Sequence, residues 1–191
     1  MKHIFFLIFS SFSLITLPLD AQHSWVFDDA HSNLQFAVTN LMVAEIEGSM
    51  QIKKATFYSA KDDLSDATVY ILADVNTIDT DNDGRDEYLR GPDFFNAEKY
   101  PDLTFQSTSF KKTGENKYTV VGNLTFHGIT KPVTMNVIAT KAIRPYDSKT
   151  VLGFKATGVI KRTDFDIASS TPSAVLGDEV DIKGNVIFVL E

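Results

Sequence analysis

The chain has 191 residues, a formal net charge of −7 and no cysteine. An acidic surface disfavours binding to nucleic acid and to anionic membranes, and the lack of cysteine excludes disulfides, thiolate catalysis and zinc–thiolate sites. A chain of this length suits one domain that is stabilised by its own hydrophobic core.

The first segment, residues 1–21, has the composition of a secretory signal. Lys2 precedes an apolar run from Ile4 to Leu19, and the small residue Ala21 follows. A basic start, an apolar stretch and a small residue before the cleavage point make up such a signal, and this run is shorter than the ~20 residues that span a bilayer. We expect cleavage after Ala21, a mature domain over residues 22–191, a periplasmic or secreted location, and no membrane span.

From residue 34 onward the dominant pattern is an alternation of apolar and polar residues. A period of two marks β-strands with one buried and one wetter face, as antiparallel sheets allow. Short turns join most of these segments, which indicates a barrel or a sandwich. The eight predicted strands are Leu34–Val38, Ile46–Ile52, Ala67–Val75, Leu103–Ser107, Tyr118–Phe126, Val133–Ala139, Leu152–Ile160 and Val180–Leu190.

A helical insertion is predicted between the third and fourth strands, where the alternation stops. Residues 83–90 form the short helix, and Asp81 or Asp83 is expected to cap it, because acidic residues favour the N-terminal end of a helix. A loop with Phe94 and Phe95 follows. We expect the apolar side chains of this insertion to lie against one mouth of a barrel or to form part of a lid.

Four glycines fall on the more apolar, inward-facing set of their strands: Gly48, Gly122, Gly158 and Gly184. Glycine inside a strand marks a bulge, a bend or a close approach by a ligand. If these positions leave room that side chains would otherwise fill, the interior of an eight-stranded barrel holds one small ligand. The alternative is that the glycines only bend their strands.

The spacing of the candidate residues does not match the metal-binding or catalytic motifs that they partly resemble. Residues 79–84 (DTDNDG) begin like a calcium-binding EF-hand loop, but Arg90 occupies the position that requires a chelating Glu. The histidines lack metal-binding spacing, and a strand would point the neighbours His31 and Ser32 to opposite faces. No metal or other cofactor is predicted.

Arg162 has the inward parity of the predicted strand that precedes it. A buried guanidinium needs partners because an unpaired desolvated charge is costly. Asp164 has the same parity if the strand continues through Phe165. Two roles are open: an ion pair that closes one end of the barrel, or a polar contact to the head group of a ligand.

Several motifs, in order from Trp25 to the end of the chain, resemble those of the YceI-like family. Residues 25–32 (WVFDDAHS) are similar to its opening signature, and residues 85–95 (RDEYLRGPDFF) to its central stretch. Residues 122–132 (GNLTFHGITKP) are similar to its hairpin, and residues 162–165 (RTDF) lie near the end of the series. At one position the chain departs from the family, because Asp166 stands where Gly is common.

The resemblance implies an all-β fold, an extended lipocalin-like eight-stranded antiparallel β-barrel that is periplasmic or secreted. It also implies a polyisoprenoid, an isoprenoid quinone or another long-chain lipid inside the barrel. We therefore expect a non-catalytic protein that sequesters or carries its lipid. Whether the chain acts alone or as a homodimer is left open.

The candidate site combines aromatic lining residues with a few polar groups, as apolar ligand sites generally do. Phe94 and Phe95 are expected to guard the mouth. His31, Arg162 and Asp164 are candidates for contact with the head group. The lining candidates are Phe36, Phe105, Phe126, Phe154 and Phe188.

Two other functions stay open from the sequence. The first is an enzyme, a hydrolase or isomerase that acts on a lipid through His31 or His127. The second is a structural barrel with a packed interior whose outer surface binds a protein partner.

Overall fold

A computed structural model describes residues 24–191, so the predicted signal over residues 1–21 lies outside the described residues. Eight antiparallel strands form a closed barrel in chain order, and the last strand pairs with the first. This arrangement confirms the predicted fold class and excludes the sandwich. The strands are β1 (Trp25–Asn40), β2 (Ala44–Tyr58), β3 (Thr68–Asp79), β4 (Asp102–Gly114), β5 (Lys117–Phe126), β6 (Ile129–Ile143), β7 (Thr150–Lys161) and β8 (Leu176–Leu190).

The alternation in the sequence determines which side chains face the barrel interior. In β5, Tyr118, Val120, Leu124 and Phe126 are buried, and the residues between them on the other face are exposed or half-buried. β1 is longer than predicted, because a bulge between Asp28 and Asn33 interrupts the alternation while the pairing with β8 continues.

The β5–β6 hairpin is tighter than predicted. His127 and Gly128 alone form its turn, with positive φ angles of 50° and 73°, and β6 begins at Ile129. Two-residue turns with positive φ match the twist of the strands they join. Residues 129–132, which lie between the predicted strands Tyr118–Phe126 and Val133–Ala139, therefore belong to β6, and Pro132 lies opposite Asn123.

The connections between strands define two ends of the barrel. The α1 end carries the β1–β2 turn, the helix α1 (Asp83–Arg90) with the loop after it, the β5–β6 turn and residues 162–175. The Trp25 end carries the connections at residues 59–67, 115–116 and 144–149.

The helix α1 has the predicted bounds but a different cap. The side chain of Asn82, not that of Asp81 or Asp83, accepts a hydrogen bond from the backbone N–H of Arg85. Residues 79–84 form the connection from β3 to the helix. Within residues 24–191, no three His, Cys, Asp or Glu side chains gather into a group that could hold a metal ion. None of the helices in that range is both long and apolar enough to cross a membrane.

Buried Asp86 joins α1 to the end of β3. Thr80 donates hydrogen bonds to the Asp86 carboxylate from its backbone N–H, at 3.0 Å, and from its hydroxyl. Arg85 in turn donates from Nε to the Thr80 hydroxyl at 2.7 Å and from Nη2 to the Thr80 carbonyl. These bonds hold the helix over one end of the barrel.

β7 does not continue through Phe165, which was the condition for a pair between Arg162 and Asp164. β7 ends at Lys161, and residues 162–165 form a 3-10 turn, which leaves Asp164 exposed. Asp164 is therefore not the partner of Arg162. The buried guanidinium of Arg162 donates hydrogen bonds to five backbone carbonyls, those of Ile167, Ala168, Thr171, Leu176 and Gly177.

Asp166 follows this turn in the left-handed conformation, with φ 55° and ψ 31°. Its carboxylate accepts a hydrogen bond of 2.6 Å from the hydroxyl of Ser169. Glycine adopts this conformation without steric cost, and Asp tolerates it better than most residues because its short side chain can hydrogen-bond locally. The departure from the family's Gly is therefore compatible with the same backbone path.

The inward glycines mostly accommodate aromatic and methionine side chains and do not leave empty space. A Cβ atom on Gly122 would overlap the ring of Phe105, and one on Gly48 would overlap the ring of Phe36. At Gly158 the sulfur of Met135 occupies the corresponding space. Only Gly184 has room, since its nearest neighbour would be the Cβ of Ala156 at 3.8 Å. Of the two alternatives for these glycines, the one in which they leave room in the interior therefore holds at Gly184 alone.

The substitution Arg162→Met is expected to lower the free energy of unfolding by at least ~3 kcal/mol, because it leaves buried carbonyls without a donor. Urea unfolding followed by the fluorescence of the single tryptophan, Trp25, measures the change. The control is Asp164→Asn, which should change stability by less than ~0.5 kcal/mol because this carboxylate is exposed. A large loss for Asp164→Asn would contradict the assignment of the carbonyls as the partners of Arg162.

The substitution Gly122→Ala is expected to lower stability by ~1–3 kcal/mol, because the new methyl group forces the ring of Phe105 and the local backbone to move. Gly184→Ala is expected to stay within ~1 kcal/mol, because its methyl group enters open space. Thermal unfolding followed by circular dichroism compares the two. Equal losses would show that the ring does not occupy the space at Gly122.

Candidate functional site

An apolar cavity, the inner cavity, lies inside the barrel and has a volume of about 120 Å³. All eight strands contribute to its wall, and every lining residue is apolar. Residues near its middle include Ile71, Met135, Ala156 and Gly184. Because β-branched and small side chains on the wall do not reach the barrel axis, a space remains along the axis between opposite strands.

A second apolar cavity, the mouth cavity, lies at the α1 end and has a volume of about 220 Å³. Strand residues such as Val38 and Val180 form one part of its wall, and Tyr88, Phe94 and Phe95 of the helical insertion form another. Tyr88 is 61% exposed, so this cavity extends to the protein surface.

The two cavities lie next to each other along the barrel. Leu34, Leu103 and Ile160 line both of them and form a waist between them. Together the cavities reach the lower end of the ~300–1,000 Å³ that is usual for small-molecule sites. The geometry therefore offers an apolar space in two adjoining parts, of which the mouth cavity opens at the α1 end.

The polar side chains on the wall of the mouth cavity are already engaged in the fold. Arg85 and Arg162 line this cavity, but their guanidinium groups donate to Thr80 and to the five carbonyls described above. Among the described residues, no buried side-chain nitrogen or oxygen lacks a hydrogen-bond partner. The cavities consequently present hydrocarbon and aromatic surface to a guest and no free buried charge.

An aromatic partition closes the inner cavity toward the Trp25 end. Phe110 and Phe154 face the inner cavity, Tyr118 and Phe57 stand behind them, and Phe188 is fully buried beside them. Ring centroids are 5.2 Å apart for Phe57–Phe154, 5.3 Å for Phe110–Tyr118 and 6.0 Å for Phe154–Phe188. Burial raises the pKa of the Tyr118 phenol above its ordinary value, with a smaller contribution from the charge of Asp63.

The structure brings most of the predicted lining residues to the two cavities. Phe105 and Phe154 line the inner cavity. The mouth cavity is lined by Phe36, Phe94, Phe95, Phe126 and Arg162. Phe188 does not reach either cavity and packs within the partition.

The polar candidates do not gather at one place. Asp164 is exposed at the α1 end and lines neither cavity. His31 lies on β1 toward the Trp25 end, where its Nδ1 is 2.9 Å from Asp28 Oδ1 and its side chain is 62% exposed. The same cluster contains Arg144, whose hydrogen bond lowers the pKa of the Asp147 carboxyl below its ordinary value. His31 and Arg162 therefore cannot contact the same head group.

His127 serves the packing of the α1 end. Its Nδ1 lies 3.0 Å from the carbonyl oxygen of Phe165, and its ring packs edge-on against Tyr100 at 4.7 Å between centroids. These contacts join the β5–β6 turn to the 3-10 turn after β7.

Sequence reasoning missed the aliphatic wall of the inner cavity. It selected aromatic residues because of their size, although aliphatic residues with the same inward parity make up most of the lining. The alternation in the sequence, which places these aliphatic residues on the inward face of their strands, could have identified them. The missed residues include Val69, Ile71, Val133, Met135 and Ile182.

Comparisons with known proteins give a consistent result. A UPF0312 protein of Vibrio parahaemolyticus is 32% identical over 173 residues, which cover 89% of this chain and 92% of the relative. A UPF0312 protein of Yersinia pestis is 36% identical over 141 residues, which cover 73% of this chain and 72% of the relative.

Solved structures share the barrel. The crystal structure of Burkholderia cenocepacia BcnA matches with a TM-score of 0.73 and 26% identity, over 85% of this chain and 99% of that one. The Campylobacter jejuni YCEI protein matches with a TM-score of 0.68 and 29% identity, over 80% and 89%. A polyisoprenoid-binding domain from Saccharophagus degradans, at 14% identity and a TM-score of 0.61 over 88% and 99%, has the same fold.

The family model of the YceI-like domain matches residues 25–188, which include the strands β1 to β7, the helix α1, the Arg162 turn and β8 as far as Phe188. With this match and the relatives above, the chain belongs to the YceI-like family.

Proposed function

We propose that this protein binds one long-chain apolar lipid, a polyisoprenoid or an isoprenoid quinone, inside its barrel and sequesters or carries it without catalysis. The observation that carries the proposal is the pair of adjoining cavities, whose walls are apolar and whose two neighbouring arginines are engaged in hydrogen bonds. A guest for such a space needs a hydrocarbon chain and no buried polar group.

The binding energy would come from the transfer of hydrocarbon out of water. Each Å² of apolar surface that is buried contributes roughly 25 cal/mol, so a lipid tail can bind well with few polar contacts. The predicted polar contacts of His31, Arg162 and Asp164 are not needed in this account, since His31 and Asp164 lie outside the cavities and the guanidinium of Arg162 is occupied. The head group would then stay near the mouth cavity, at the protein surface.

The isoprenoid identity of the guest rests on resemblance. The family membership and the barrel shared with the polyisoprenoid-binding domain support it, the latter through its fold. The predicted signal over residues 1–21 supports a periplasmic or secreted location, where a carrier without disulfides would rely on its core. Binding by a single chain is sufficient for this function, because one chain supplies the lining residues of both cavities.

The alternative of a lipid-directed enzyme receives no specific support from the two histidines. His31 is exposed at the end of the barrel opposite the mouth cavity. His127 bonds to a backbone carbonyl and does not line either cavity.

The direct test is native mass spectrometry and solvent extraction of the mature protein purified without detergent. We expect a mass increment and an extractable isoprenoid lipid. If the purified protein repeatedly contains no lipid and also fails to bind added prenyl alcohols or ubiquinone, the proposal is wrong.

A substitution that fills the inner cavity should block binding. Gly184→Leu places a side chain into the open space at that position and is expected to weaken the binding of a fluorescent prenyl probe at least ~10-fold, the equivalent of ~1.4 kcal/mol. The matched control is Gly153→Leu, the same change on β7 at a glycine that lines neither cavity and whose Cβ would have its nearest neighbour at 3.9 Å. Equal affinities of the two variants, both folded by circular dichroism, would place the guest elsewhere.

A further inference from the structure

The two ends of the apolar space differ in how they are closed. At the Trp25 end, all five rings of the aromatic partition are buried, with exposures of 0–7%. At the α1 end, the mouth cavity reaches the surface beside Tyr88, and the waist toward the inner cavity consists of aliphatic side chains. A chain that enters from the α1 end therefore meets an opening beside Tyr88 and an aliphatic waist, whereas the partition blocks the opposite end.

The partition separates the inner cavity from a different environment. On its far side lies an outer pocket of about 110 Å³, lined by Trp25, Phe57 and Tyr118 together with polar residues such as Lys61 and Asn116. Phe154 faces the inner cavity and stacks on Phe57, which faces the outer pocket. The partition is therefore only two rings thick, and hydrocarbon that passed it would meet polar side chains.

The rings of the partition form a closely packed cluster. The rings of Phe57, Phe154 and Phe188 contact one another pairwise, with centroid distances of 5.2, 5.6 and 6.0 Å. Such tilted and edge-on ring pairs are attractive beyond the area they bury. A chain end that reaches Phe154 or Phe110 would have to break this cluster to go further.

We propose that the aromatic partition is the floor of the binding site and sets the longest chain that the protein accepts, with the chain inserted tail first from the α1 end. This inference rests on the proposed function and adds a limit on the length of the lipid chain that the protein binds. Phe110 and Phe154 are the residues that determine the length limit. Chains up to the limit are held entirely in apolar surroundings, and longer chains leave hydrocarbon exposed at the mouth.

The test is the binding of a series of all-trans prenyl alcohols that differ by one isoprene unit, measured by displacement of a fluorescent prenyl probe. For the natural sequence, affinity should rise with each unit and then stop rising at a limit. Phe154→Leu and Phe110→Leu should move this limit to longer chains by one unit or more, because the smaller side chains let the end of the lipid chain reach further toward the Trp25 end. Ala156→Leu, which fills the cavity above the floor, should move it to shorter chains.

The matched control is Phe27→Leu. Phe27 packs against Phe188 at the same end of the barrel, with a centroid distance of 6.2 Å, but lines neither cavity, so its removal should leave the limit unchanged. If Phe154→Leu, Phe110→Leu and Ala156→Leu all bind prenyl alcohols with the limit of the natural sequence, the inference is overturned while the proposed function stands. If the natural sequence binds no prenyl alcohol of any length, the proposed function itself fails.

The direction of insertion has its own measurement. A ubiquinone carries its quenching group on the head, and Trp25 lies beyond the partition, next to Phe57. A variant with Trp25→Phe and Tyr88→Trp moves the single tryptophan to the mouth. We expect ubiquinone to quench this variant several-fold more strongly than the natural sequence. Stronger quenching of Trp25 in the natural sequence would reverse the direction and overturn the inference.

Discussion

The pairing of β1 with β8 is the constraint on which the rest of the structure depends. It runs from Trp25 opposite Leu190 to Asn40 opposite Leu176, with a bulge between Asp28 and Asn33, and it pairs the two strands that would otherwise be the edges of the sheet. Closure also turns the inner face of the sheet into the wall of a lumen. In a barrel of eight strands this lumen is just wide enough to be filled by side chains or to hold one ligand. The choice of inward side chains along the barrel axis then determines where it is filled and where it is open.

The lumen is filled unevenly along that axis. Large aromatic rings meet at the Trp25 end, whereas aliphatic and small residues line the middle, where they do not reach the axis. Two of the inward glycines allow rings from the neighbouring strand, those of Phe36 and Phe105, to lie flat against the wall. The volume of the inner cavity therefore results mainly from short side chains, such as those of Ala156 and Val186, and less from the glycines.

Two of the motifs that carry the family resemblance, residues 85–95 and 162–165, hold the frame of the α1 end. Asp86 and Arg85 tie the helix to Thr80, and Arg162 gathers the carbonyls of the segment between β7 and β8. Buried polar groups of this kind are retained only when each has partners, because an unpaired one costs several kcal/mol, of order ~3 or more for a charge. Because these groups are engaged in the fold, the walls of the two cavities present an apolar surface.

The sequence by itself determined the β architecture, the inward parity of β5, β7 and β8, and the bounds of α1, because these follow from the local period of apolar residues and from the interruption of that period. It also pointed to most of the aromatic residues on the two cavities. Only the tertiary structure decided that Arg162 binds carbonyls and not Asp164, that rings occupy the space at Gly48 and Gly122, and that His31 lies at the end opposite Arg162. These features depend on bulges, turn geometry and cross-strand register, which bring together residues far apart in the chain, and a local pattern contains no information about such distances.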